Sequence, residues 1–121
     1  MRNSWLILVI ALATGCSSSA RREGATVTGG DPNRGVAAIG RYGCGSCHTI
    51  RGINGAVGLV GPPLTGVGDR MYIAGVLPNS PQNLVSWIRN PKAADEKTAM
   101  PVLGVTEQDA TDIAAYLYAG R

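Results

Sequence analysis

The chain has 121 residues, which fits a single domain. With 17 Gly, 4 Tyr, 2 Trp and no Phe it has thin material for a core, so it needs a staple or a bound group to supply apolar bulk. Its net charge of +3 comes without a basic run or interleaved aromatics, which excludes a nucleic-acid binder.

Arg2 followed by the apolar run from Trp5 to Ala13 has the form of an export signal and is too short to span a bilayer as a helix. The run ends in Ala13-Thr14-Gly15-Cys16, which resembles a bacterial lipobox, although Ala13 stands where that pattern prefers Leu. Residues 1–15 are therefore expected to be a lipoprotein signal, with Cys16 as the lipidated residue. An ordinary secretory signal would leave Cys16 a stray thiol in an oxidising compartment. Residues 16–30 then form the anchor and a tether. Ser17 to Gly30 is rich in Ser, Gly, Ala and Thr, and as a random coil it would span about 20 Å.

The domain proper is expected over 31–121. Asp31-Pro32 is a helix start, with Asp as cap and Pro at the first helical position. Val36, Ile39 and Tyr42 give that helix its apolar face, and Gly35 and Gly40 suit close packing against another helix. The helix ends at Gly43. Directly after it comes Cys44-Gly45-Ser46-Cys47-His48, the C-x-x-C-H attachment signature of a c-type haem. Cys44 and Cys47 can each bond a vinyl group of one porphyrin. His48 then lies under the iron, where a neutral imidazole can ligate it. A thioredoxin-like dithiol would need a βαβ pattern, which is absent. A closed zinc site would need further ligands, and His48 is the only His.

Thr49 to Gly68 is Gly-rich and reads as loop, stiffened at Gly61-Pro62-Pro63-Leu64. A second helix begins near Ser80-Pro81, carries Leu84, Val85, Trp87 and Ile88, and stops at Asn90-Pro91. A polar loop leads to Met100-Pro101. Thr106-Glu107-Gln108-Asp109 is a capping box with Asp in place of the usual Glu. The last helix places Ala110, Ile113, Ala114 and Leu117 on one face. No strand, repeat or spanning helix is expected.

From Asp31 onward the chain resembles the class I cytochromes c. The resemblance implies an all-α fold, three to five short helices wrapped around one covalent haem c, with the first and last helices crossing near Gly35, Ile39, Ile113 and Leu117. It implies His48 and Met100 as the axial ligands of the iron. Met100 follows Asn90-Pro91 at the family's spacing, and the rival Met71 lacks that spacing. It implies a pocket in which the Pro62 carbonyl accepts a hydrogen bond from the His48 ring, Leu64 packs on the haem, Arg70 pairs with a propionate, and Trp87 faces the Met side. His48-Thr49-Ile50-Arg51-Gly52, Gly-Pro-Pro-Leu-Thr-Gly and the Trp-Ile before Asn-Pro resemble the cytochrome domain fused to subunit II of caa3-type oxidases. The residues before Asp31 hold no copper domain or spanning hairpin, so the expectation is that domain as a free lipoprotein.

The function implied is one-electron transfer in a respiratory chain, not enzymatic turnover. The expected setting is the periplasmic side of a bacterial cell envelope, lipid-anchored to a membrane. By family analogy a quinol-oxidising complex is the donor and a terminal oxidase the acceptor, and the protein is a monomer. The alternatives are a cytochrome subunit of a periplasmic dehydrogenase and a gas-sensing haem protein. The apolar Val102, Leu103 and Val105 beside Met100 are expected to supply a weakly charged contact patch.

Overall fold

The structure is a computed structural model that describes residues 15–120. The expected signal segment lies outside it, apart from Gly15. Five helices, two single 3₁₀ turns and one two-residue hairpin make up the described fold. None of the described helices is long and apolar enough to cross a membrane.

The last helix, α5 (Glu107–Ala119), is the centre of the molecule. Thr106 caps it, accepting a hydrogen bond from the Asp109 N–H at 3.1 Å. Only this half of the expected capping box forms. The Asp109 carboxylate is engaged instead by the Tyr42 hydroxyl at 2.7 Å and by Arg41 at 2.8 Å. Beyond the expected face of Ala110, Ile113, Ala114 and Leu117, α5 also buries Asp112, Ala115 and Tyr118. A helix buried on several sides needs neighbours on each, and α5 has them in α1 (Gly15–Thr28), α2 (Pro32–Arg41) and α3 (Pro81–Arg89).

Helix α2 starts as its sequence dictates. Asp31 accepts from the Asn33 N–H at 2.8 Å, and Pro32 occupies the first turn. It crosses α5 at Gly35, where a Cβ would stand 2.2 Å from the Asp112 carbonyl oxygen. Only a residue without a side chain permits that approach. Gly40 faces open space and plays no such part. Asp112 ties the crossing together. Its carboxylate accepts from the Asp31 N–H at 2.7 Å, from Arg34 Nε at 2.8 Å and from Gln108 at 3.1 Å.

The stretch expected to be a coil is a helix, α1. Its Ser, Thr and Gly residues disfavour helix in isolation. Packing on α5 overrides that preference. Gly24 is buried so tightly that a Cβ would meet the Ala115 carbonyl at 2.2 Å and Ala119 Cβ at 3.0 Å. Thr26 and Thr28 satisfy their hydroxyls on carbonyls one turn back, at 2.8 and 2.9 Å. Gly29, at φ +77°, ends the helix.

Helix α3 is capped by Ser80, which accepts from the Asn83 N–H at 3.2 Å. Asn90 stops it and caps the single turn α4 (Pro91–Ala94), inside what the sequence reading left as loop. A second departure is the antiparallel hairpin β1 (Tyr72–Ile73) and β2 (Leu77–Pro78). Ala74 and Gly75 both take positive φ at its turn, 51° and 74°. The core unites Ala38 and Ile39 of α2, Leu84, Trp87 and Ile88 of α3, and Ile113, Ala114 and Leu117 of α5 with Ile50, Val67, Ile73 and Val105 from the loops.

Candidate functional site

Gly43, at φ +70°, turns the chain out of α2 and into the 3₁₀ turn Cys44–Ser46. The turn is closed by the Cys47 and His48 N–H groups, both donating to the Cys44 carbonyl at 3.2 and 3.0 Å. It places two cysteines three positions apart at the two ends of one tight turn. Both are free thiols and half-buried. Cys44 packs on the core. Burial pushes its thiol pKa up, one backbone hydrogen bond lowers it, and the neighbouring Cys47 raises it further.

The segment after the motif folds back across it. The Gly58 N–H donates to the Gly45 carbonyl at 3.0 Å and the Gly61 N–H to the Cys47 carbonyl at 2.8 Å. Three glycines make this approach possible. A Cβ on Gly45 would stand 2.7 Å from Ala56 Cα, and one on Gly58 2.5 Å from the Cys47 carbonyl carbon. A Cβ on Gly61 would stand 2.3 Å from His48 Cε1. Sequence reasoning named none of these three as site residues. For Gly58 and Gly61 the density of glycine between 52 and 68 is the available signal, and Gly45 lies inside the motif itself.

His48 Nδ1 stands 2.7 Å from the Pro62 carbonyl oxygen. A carbonyl can only accept, so Nδ1 is the donor in this hydrogen bond, which leaves Nε2 as the ring nitrogen open to a metal. Pro62 itself is exposed, and Leu64 is half-buried against the core. The Leu64 N–H donates to the Thr49 carbonyl at 3.0 Å, which closes this loop on the motif. The Arg70 guanidinium is exposed and donates to the Pro63 and Thr65 carbonyls, bracing the turn that presents Pro62. Asn79, another residue that the sequence reading passed over, donates to the Val67 and Arg70 carbonyls at 2.7 Å each.

Met100 and Met71 have opposite surroundings. Met100 is half-buried and packs on the core, whereas Met71 is 82% exposed. The Met100 N–H donates to Thr98 Oγ1 at 3.2 Å. Lys92 holds this loop by donating to the Thr98 and Glu96 carbonyls, a role absent from the sequence reading. Trp87 is buried at the middle of α3 within the core, 8% exposed. Of the expected apolar patch, Val102 and Leu103 are exposed, but Val105 is buried at 6%. Val105 is spent on the core beside α5 and is unavailable as contact surface. Cys16 falls in α1, and its side chain lies outside the described residues.

Residues 33–119 match the Cytochrome c family. The chain belongs to the cytochrome c family. It is 35% identical over 86 residues to cytochrome c oxidase subunit 2 of Alkalihalophilus pseudofirmus. That alignment covers 70% of this chain and 24% of the relative, so the chain spans about a quarter of that protein's length. No solved structure matches it. As a cytochrome c the chain is an electron-carrying haem protein, and its cofactor is covalent haem c. The class I cytochrome c fold accounts for the helical architecture around α2 and α5. Helix α1 ends at Thr28 and lies before the matched region.

The residues present fit that cofactor. Two free thiols flank one 3₁₀ turn, the adjoining imidazole offers Nε2, and a thioether stands half-buried on the same core that Cys44 and Leu64 pack against. The glycines at 45, 58 and 61 let the following loop pack directly on the motif's backbone and on the His48 ring, which holds the motif in place. Soft thioether and imidazole donors suit haem iron in an electron-transfer role.

Proposed function

We propose that this chain is a membrane-anchored, monohaem one-electron carrier of a respiratory chain. In this reading Cys44 and Cys47 hold the haem as thioethers, and His48 and Met100 are the axial ligands of its iron. The hydrogen bond from His48 Nδ1 to the Pro62 carbonyl carries the reading. It fixes the tautomer and ring orientation that a ligating histidine requires.

Bound haem supplies a one-electron couple at its iron. The residues do the rest. With His48 and Met100 both holding the iron, no ligand place would remain for a substrate, which would favour electron transfer over bond chemistry. The Met100 thioether is soft and, holding the iron, would favour Fe(II) and so raise the potential. The apolar core beside it disfavours the extra positive charge of the oxidised state. Leu64 and Trp87 would contribute apolar wall, and the exposed Arg70, whose fork-shaped donor suits a propionate, would stand at the polar rim.

The proposed site of action is the periplasmic side of a bacterial envelope, with Cys16 lipidated after removal of residues 1–15. The proposed acceptor is a terminal oxidase, supported by the likeness to an oxidase subunit, and the proposed donor is a quinol-oxidising complex. The test is carbon monoxide. The reduced, haem-loaded protein at neutral pH is expected to keep its spectrum under the gas. Ready binding would make it a ligand-binding haem protein instead.

A further inference from the structure

A cleft of about 440 Å³ lies between α1, the loop after the haem motif and the C-terminal turn of α5. Ile50 and Leu117 give it an apolar floor, and Ala20 of α1 closes one side. Two guanidinium groups, Arg21 of α1 and Arg51 of the loop, line the same opening, and none of the described residues that line it is acidic. Both arginines are exposed. Among the described residues Arg21 bonds only the neutral Asn33 side-chain oxygen, and Arg51 has no side-chain partner. Two like charges at one opening repel each other unless an anion sits between them.

The loop half of the cleft is fixed in place. The Tyr116 hydroxyl of α5 donates to the Arg51 carbonyl at 2.7 Å. Gly52, at φ +82°, leaves room for it, since a Cβ there would stand 2.6 Å from that hydroxyl. The other half is α1, which precedes the region matching the family. Position 16 lies one helical turn before Ala20 on this helix.

We propose that this cleft seats the headgroup of an acidic phospholipid from the membrane that carries the protein. Arg21 and Arg51 bind its phosphate, and the apolar floor takes the glycerol end of its acyl chains. The choice of a lipid rests on three observations: paired unneutralised arginines, an apolar floor beneath them, and a helix that leads directly to Cys16. With α1 packed on α5 instead of swinging as a tether, such a contact would hold the domain at a fixed orientation to the bilayer. The membrane setting rests on the anchored reading given above, but the binding itself does not require an acyl group.

The test uses the haem-loaded protein of residues 16–121 carrying Cys16→Ser, which has neither the apolar leader nor a lipid of its own, and flotation with vesicles. Vesicles of phosphatidylglycerol in phosphatidylcholine are expected to carry the protein, and vesicles of phosphatidylcholine alone are not. Arg51→Gln is expected to weaken binding about fivefold, and Arg21→Gln with Arg51→Gln about 25-fold, on the scale of single cationic contacts with an acidic bilayer. Lys97→Gln, an exposed charge outside the cleft, is the control and should weaken it far less. An unchanged haem spectrum certifies each variant as folded. Equal losses for Lys97→Gln and Arg51→Gln would reduce the effect to net charge and overturn the proposal. Displacement by inorganic phosphate alone would overturn it in favour of a free-anion site. Failure of membrane association in cells with intact flotation in vitro would fault the Cys16 anchor and not the cleft.

Discussion

Gly61 lies flat against the His48 imidazole: a Cβ on it would stand 2.3 Å from Cε1, 2.7 Å from Nδ1 and 2.9 Å from Nε2. The Gly61 N–H also donates to the Cys47 carbonyl at 2.8 Å, so the backbone has no room to retreat. The ring is thus held by Pro62 through a hydrogen bond and by Gly61 through contact.

Gly61→Ala must therefore push the ring off Pro62 or lift the loop off the motif. The expected outcome is a poor yield of holoprotein with a disturbed low-spin spectrum. Gly66→Ala is the contrast. Its φ of +71° strains an alanine by about 1 kcal/mol, but its Cβ would meet nothing within 4 Å. That variant should lose a little stability and keep its spectrum. Equal spectral damage in the two would remove the steric role assigned to Gly61.

Asp112 governs the crossing of α2 and α5. Burial alone would raise its carboxyl pKa, but Arg34, the Asp31 N–H and Gln108 outweigh burial and hold it below the ordinary value of 3.8. A depressed folded-state pKa contributes stability above the unfolded value and loses it as pH falls through the folded one. The thermal midpoint of the holoprotein should thus drop in acid, below about pH 4. Asp109 adds to the same decline, its pKa lowered by the Tyr42 hydroxyl first and then by Thr106 and Arg41. Asp112→Ala leaves the Asp31 N–H and Arg34 without their partner and should cost about 2–3 kcal/mol at neutral pH. Arg34 is 60% exposed, which keeps the loss below that of a fully buried pair. Thermal melts of the two proteins from neutral to acid pH check both statements. A pH-independent difference between them would contradict the assignment.

Cys16→Ser should release a soluble, haem-loaded protein or block processing of residues 1–15. A wild type held by lipid sediments with membranes, since two or three acyl chains anchor stably where one does not. Fractionation of cells expressing each form reads the outcome. A wholly soluble wild type would remove the anchor.

Docking to a redox partner should depend only weakly on salt. Removal of residues 1–15 takes Arg2 from the eleven basic residues and leaves all eight acidic ones, so little net charge remains to steer an encounter. Val102 and Leu103 are exposed next to the Met100 loop and offer apolar contact in its place. A steep fall in electron-transfer rate between low and physiological ionic strength would show charge steering instead.

What the sequence made legible is what local chemistry decides. Asp31-Pro32, Ser80-Pro81 and Thr106 start their helices because each side chain satisfies a nearby N–H without help from elsewhere. The Cys44-to-His48 motif is legible for the same reason. Helix α1 was hidden because tertiary packing on α5, with Gly24 against Ala115 and Ala119, makes a Ser- and Gly-rich segment helical. The hairpin was hidden because it is two residues a side and turns on an alanine at φ 51°. Val105 read as surface because its neighbours 102 and 103 are, and only the tertiary path turns it inward. The glycine cradle of 45, 58 and 61 depends on a loop crossing its own motif, which spacing cannot reveal.

The most direct measurement is the optical spectrum of Met100→Ala beside Met71→Leu. Ligation by His48 and Met100 predicts that Met100→Ala retains covalent haem, loses the iron–sulfur charge-transfer band of the oxidised protein, lowers the potential and binds carbon monoxide when reduced. Met71, 82% exposed, should be replaceable with none of these changes. An intact charge-transfer band in Met100→Ala, or its loss in Met71→Leu, would contradict the six-coordinate electron carrier.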